Sequence, residues 1–121
     1  MASISKDSLP EAAVVGIAVM KDLKIIFDTV STSRKYQNLI KNPSIALVIG
    51  WDSTQTVQYE GVARVPEANE EDEMLEVYFS IFPDGRERMK TWKDIVYFCV
   101  KPKWIRFSDF TEPKKIEELS F

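Results

Sequence analysis

Histidine is absent from this 121-residue chain, and cysteine occurs once, at position 99. Without histidine there is no Ser-His-Asp or Cys-His mechanism, and the commonest transition-metal ligand is missing. A single cysteine can form neither an internal disulfide nor a cysteine-built zinc centre, which fits a reducing, cytoplasmic setting. Basic residues are not in excess either. With 16 Lys and Arg against 19 Asp and Glu, the net charge is -3, so no general nucleic-acid-binding surface is expected and any anion site must be local. No apolar run approaches the roughly 20 residues of a membrane span, and the opening MASISKDSLPEAAVV lacks a basic stretch followed by an apolar one. From these absences a soluble, unexported chain without a membrane partner is expected.

What is present suits one domain over residues 1–121. Hydrophobic residues make up 45% and aromatics 12%, and a chain of this length buries roughly two thirds of its unfolded surface, enough for a core without staples. Short segments rich in β-branched residues dominate. Residues 11–20, EAAVVGIAVM, are almost continuously apolar, and after the turn-like Lys21-Asp22 the chain resumes as LKIIFDT, which predicts a hairpin. ASIS near the start adds a short strand, SIALVIGW (44–51) another, and TVQYEGVARV alternates Val57, Tyr59, Gly61, Ala63 and Val65 against polar neighbours. DIVYFCVKP and WIRFSDF read as the last strands, and TEPKKIEELSF as a charged tail with a short helix.

Two stretches carry helical periodicity. Over 69–82, Asn69 is the expected N-cap, the acidic first turn suits the macrodipole, and Met74, Leu75, Tyr78, Phe79 and Phe82 form one stripe that ends at Pro83-Asp84-Gly85. The acidic cluster needs no function beyond a solvated helix start. Over 31–43, STSRKYQNLIKNP reads as a short helix with Tyr36, Leu39 and Ile40 facing inward. Here a local rule is broken, because Arg34 and Lys35 stand in the first turn, where the macrodipole disfavours cations. Two readings fit. The pair is a solvated face, or free backbone N–H groups, hydroxyls and two cations converge on a phosphate. Spacing does not say which ligand would carry that phosphate. Cys99, inside an apparent strand, reads as a small buried residue, and Trp51 and Trp92 as packing or dimer contacts.

In the order of these segments, and above all in T-x-x-x-S-R-K-x-x-N-L-x-x-N-P from Thr29 to Pro43 and KPKWIRFSD near the end, the chain resembles the pyridoxamine 5'-phosphate oxidase-like FMN-binding split barrels. The resemblance covers about residues 2–110. It implies a mainly β fold, a six-stranded antiparallel split β-barrel with two short helices, and a homodimer with FMN in a groove between the subunits. It also implies that Arg34 and Lys35 bind the FMN phosphate with help from the hydroxyls of Thr29 and Ser33. Asp28 lies beside them with its backbone near the flavin, either Thr56 or Gln58 reaches the ring, and Trp104 is an aromatic neighbour of it.

Departures from that pattern shape the expected activity. Pyridoxamine phosphate oxidases carry basic residues on the strand matching Ala12 to Met20, and a histidine with arginines near the C-terminus. This chain has none on that strand, no histidine, and WIRFSD at the end. The expectation is therefore a flavin-dependent oxidoreductase acting on a small molecule other than pyridoxamine phosphate, with no catalytic residue assigned beyond the cofactor. The alternatives are a non-enzymatic flavin-binding or stress-related protein, or a relative holding a deazaflavin; haem is the weaker option because its usual histidine ligand is missing.

Overall fold

In the computed structural model, which describes residues 1–121, the segments rich in Val, Ile, Phe and Tyr pair into eight antiparallel strands. In chain order these are β1 (Ala2–Ile4), β2 (Pro10–Ala12), β3 (Ala18–Val19), β4 (Ile25–Val30), β5 (Ser44–Ile49), β6 (Gln55–Arg64), β7 (Ile95–Asp109) and β8 (Lys115–Ser120). Helix α1 (Arg34–Lys41) separates β4 from β5, while α2 (Ala68–Ile81) and α3 (Gly85–Thr91) separate β6 from β7. The sheet order is β2-β1-β5-β6-β7-β4-β3, with β8 also paired to β7.

The 15-residue β7 is the spine of this sheet. Its first half, Ile95 to Val100, pairs with β4, its second half, Trp104 to Asp109, pairs with β8, and β6 runs along Cys99 to Asp109. Side chains alternate between the faces of a strand, so β4 and β7 each feed two cores. One holds Ile25, Phe27, Leu39, Leu47, Tyr59, Phe98 and Val100, with Phe27 and Phe98 stacked at 5.4 Å. On the other face Ile26, Tyr97 and Cys99 pack under Met74, Tyr78 and Phe79 of α2. Because both faces of β4 are covered, its sequence IIF reads as a continuous apolar run.

The mainly β class stands, with eight strands and three helices where six and two are expected. The run at 11–20 is divided: Glu11 and Ala12 belong to β2, only Ala18 and Val19 pair with β4, and Val14 between them is 85% exposed. DIVYFCVKP and WIRFSDF are one strand. The charged tail is β8 and not a helix, since beyond Val100 the edge of β7 that β4 leaves bare offers backbone partners from Trp104 to Asp109. Helix α2 starts from Glu67 in a capping box with Glu70, two residues before the expected Asn69 cap. Past Pro83 the chain restarts as α3, held back to α2 by Arg86 on Glu76 at 2.9 Å. At the β6–β7 pairing a bulge falls between Glu60 and Gly61, where a Cβ on Gly61 would lie 2.5 Å from the Lys101 carbonyl oxygen. Only glycine permits that approach, which sets Trp104 opposite Glu60.

Candidate functional site

Strand β4 delivers Thr29 to the start of α1, and three side chains meet there. Thr29 and Ser33 share a hydrogen bond of 2.8 Å, and the Lys35 ammonium donates to Thr29 Oγ1 at 3.5 Å. Ser33 is the N-cap, its oxygen accepting the Tyr36 N–H at 3.2 Å. The N–H groups of Arg34 and Lys35 have no acceptor in the protein, so two donors and the positive end of the helix dipole face outward beside the Lys35 charge. This is chemistry suited to an anion.

Arg34 behaves differently. Its guanidinium pairs with the carboxylate of Glu11 on β2 while its side chain remains 80% exposed. The other Glu11 oxygen accepts from Asn38 at 2.9 Å, and Asn38, buried in the next turn of α1, also donates to Ser3 of β1 at 3.1 Å. Arg34 and Asn38 lie four apart and so share one helix face. Bonds first from Arg34 and then from Asn38 hold the Glu11 carboxyl below the usual range. The inward face of α1 thus consists of Asn38, Leu39 and half-buried Tyr36, whereas Ile40, expected inside, is 55% exposed. Sequence reasoning missed Glu11 and Asn38; the available signal was a charge within an apolar run and an asparagine one residue off the helix stripe.

Met1, Ser3, Glu11, Ala12, Ala13, Arg34 and Lys35 line a cleft of about 240 Å³. Across the free edge of β2, Met1, Ala12 and Ala13 are shared with a second groove of about 650 Å³, a size that suits a flat aromatic ligand. Its wall is apolar, formed by Ala46, Val48, Trp51 and Trp104 among others, and its polar side chains are Gln58, Tyr59 and Glu60. In register, Ala2, Ala12, Ala46, Glu60 and Trp104 lie on one face of the sheet, with Val48 and Gln58 beside them. Of the two ring candidates on β6, Gln58 lines this groove and Thr56 does not. No lysine or arginine lines it.

Asp28 points elsewhere. Its neighbour Thr29 faces α1, so the Asp28 side chain emerges on the opposite face, where it pairs with Arg88 of α3 at 3.1 Å. Arg88 also bonds Asp84 and reaches the Tyr78 hydroxyl at 3.5 Å, and nearby the Tyr97 hydroxyl is buried without a partner. This cluster docks α3 and leaves only the Asp28 backbone beside the α1 cradle. Trp92 is half exposed with Arg88 over its ring, and Cys99 is fully buried with its thiol pushed up by desolvation, so neither faces the clefts.

The sequence profile of the pyridoxamine 5'-phosphate oxidase family matches residues 1–109. The chain is 34% identical over 88 residues to a pyridoxine/pyridoxamine 5'-phosphate oxidase from Ehrlichia chaffeensis, covering 72% of this chain and 42% of that protein. It is 30% identical over 124 residues to one from Wolbachia pipientis, covering 100% and 52%. It therefore spans about half the length of the curated relatives it matches. Among solved structures, a haem-binding protein from Mycobacterium smegmatis superposes with a TM-score of 0.80 at 16% identity, over 98% of this chain and 50% of that one. A pyridoxamine 5'-phosphate oxidase-related, FMN-binding protein from Nostoc punctiforme gives 0.70 at 10% identity, over 99% and 84%. At these identities the structural likenesses establish the shared split-barrel fold, and the sequence matches carry the rest: this chain belongs to the pyridoxamine 5'-phosphate oxidase family.

Proposed function

We propose that residues 1–121 form one flavin-binding unit that holds FMN, with the phosphate at the start of α1 and the ring in the apolar groove. The observation that carries this reading is the continuity of the two clefts through Met1, Ala12 and Ala13, which joins an anion cradle to a slot for a flat aromatic group. Lys35, the Thr29 and Ser33 hydroxyls and the free α1 N–H groups would hold the phosphate, and Arg34 would join them by turning from Glu11. Gln58 would meet the polar edge of the ring, and Trp104 with Val48 would exclude water from its face. Bound FMN supplies one- and two-electron redox chemistry; the protein contributes placement and environment.

The groove carries no cation to clamp a second phosphate, so pyridoxamine 5'-phosphate is a poor fit and another small molecule is the expected partner of the flavin. A flavin carrier without turnover is the second reading, favoured by the scarcity of acid–base groups along the groove. A homodimer completes either version, because Val14, Val48 and Trp51 leave the groove wall 85%, 55% and 70% exposed at these positions. Light scattering that finds a monomer with FMN present counts against the dimer.

Titration with FMN and with riboflavin tests the whole assignment. Lys35→Ala and Arg34→Ala should each weaken FMN by roughly tenfold to a hundredfold, the worth of a charge-assisted hydrogen bond, and leave riboflavin nearly unchanged. Equal losses for both ligands would remove the phosphate from the α1 cradle.

A further inference from the structure

Glu11 is an anion standing in an anion site. Both of its oxygens are engaged, one by Arg34 and one by buried Asn38, and it lines the same cleft as Lys35. An incoming phosphate needs the Arg34 guanidinium that this carboxylate already holds. Asn38 anchors Glu11 from the side of the core through Ser3, so the carboxylate cannot simply swing into solvent, whereas the exposed Arg34 side chain can turn.

Other charges around Glu11 are few. From α1 come Arg34, Lys35 and Lys41, from the β1–β2 turn Lys6 and Asp7, and from just before β1 the Met1 ammonium, which donates to the Ala13 carbonyl at 2.8 Å. Lys6 and Lys41 lie in the adjoining polar cleft with no carboxylate within ion-pair distance, but Lys35 and Arg34 are the cations of the cradle itself. Among side chains the cradle holds two cations against one carboxylate, and the Met1 amine, which burial pushes below its ordinary value, adds only a partial positive charge near pH 8. A dianionic phosphate would leave that small space with net negative charge, while a monoanion would leave it neutral.

On the reading that the cradle holds a flavin phosphate, we infer that Glu11 sets its charge state, so that one proton is taken up on binding and sits between a phosphate oxygen and a Glu11 oxygen. In the free protein the Arg34 and Asn38 bonds keep Glu11 ionised at neutral pH. The second ionisation of a phosphate monoester lies near pH 6, so the proton is available close to neutrality at little cost. Atoms balance simply: the proton comes from solvent, and the bound phosphate hydroxyl donates to the carboxylate. Glu11 is then a specificity-determining residue, disfavouring dianions and leaving uncharged flavins untouched.

Titration calorimetry of the wild-type protein with FMN, in two buffers of different ionisation enthalpy at pH 7.5, reads the proton directly. About one proton taken up per FMN, none with riboflavin, and FMN binding that tightens about twentyfold from pH 8 to pH 6.5 are expected. Glu11→Gln should abolish the uptake, flatten the pH dependence and tighten FMN about tenfold at pH 8, with riboflavin affinity reporting that the groove is intact. FMN binding without proton uptake in the wild type overturns the inference while leaving the proposed cofactor in place, and so does a Glu11→Gln protein that binds riboflavin normally but FMN no better. If neither flavin binds the wild type, the proposed function and this inference fall together.

Discussion

Ser33→Ala tests the cradle without any ligand. The substitution removes the cap on the Tyr36 N–H, typically about 1 kcal/mol, and strips Thr29 of its 2.8 Å partner. Thr29 is only 8% exposed, so its hydroxyl keeps no better companion than the 3.5 Å contact from Lys35, which adds about 1 kcal/mol for an under-satisfied buried group. The total is about 2 kcal/mol. For a chain of this length the unfolding entropy scales to about 4 °C per kcal/mol, so Tm should fall by about 8 °C. Thr29→Val combined with Ser33→Ala removes the orphaned hydroxyl and retains only the cap loss, so the double variant should be more stable than Ser33→Ala alone, with a coupling of about 1 kcal/mol. Calorimetric melts of the four proteins complete the cycle. Additive losses, or a Ser33→Ala change below about 0.3 kcal/mol, would mean that the Thr29–Ser33–Lys35 contacts do not act as a unit.

Two further outcomes follow from contacts away from the clefts. Arg88→Ala strands Asp28, whose side chain is 19% exposed, and should cost about 1 to 2 kcal/mol in thermal or urea unfolding while leaving riboflavin affinity unchanged; a flavin defect would show that α3 reaches the groove. Asp109, drawn down to about 2 from 3.8 by the Thr111 N–H and the Gln55 and Thr54 side chains, contributes stability that is present above pH 3.8 and lost as pH falls through about 2. Comparing Asp109→Asn with wild type in urea should therefore show a gap that is constant near neutrality and closes by about pH 2, and a gap that persists there would refute the clip.

The cradle was legible because it is local. Thr29, Ser33 and Lys35 fall within seven residues, so a strand leading into a capped helix brings them together whatever the rest of the chain does. Glu11 was not legible, since its meeting with Arg34 needs β2 to lie against β1 and β1 against α1, pairings that no periodicity reports. Asp28 shows a subtler limit. Its position beside Thr29 is certain from sequence, but the two-residue repeat of a strand sends adjacent side chains to opposite faces, and only the docking of α3 reveals where that carboxylate goes. The tail was misread for a similar reason: KIEELS has helical composition, and its strand conformation is imposed by the bare edge of β7.

The length of β7 also governs when the protein can close during synthesis. Of Ile25, Ile26 and Phe27 in β4 only the first two pair with β3, and their remaining backbone partner is Phe98 to Val100, some seventy positions later. At about 5 to 20 residues per second, a ribosome leaves that apolar strand without its neighbour for several seconds. Helix α2, which covers one face of β4, emerges earlier but rests only on β4 and the two-residue β3 until Tyr97 and Cys99 arrive. Nascent chains stalled before residue 95 should thus be open to strand-capturing chaperones and proteases, and those released after β8 has paired with β7, beyond residue 120, should resist both.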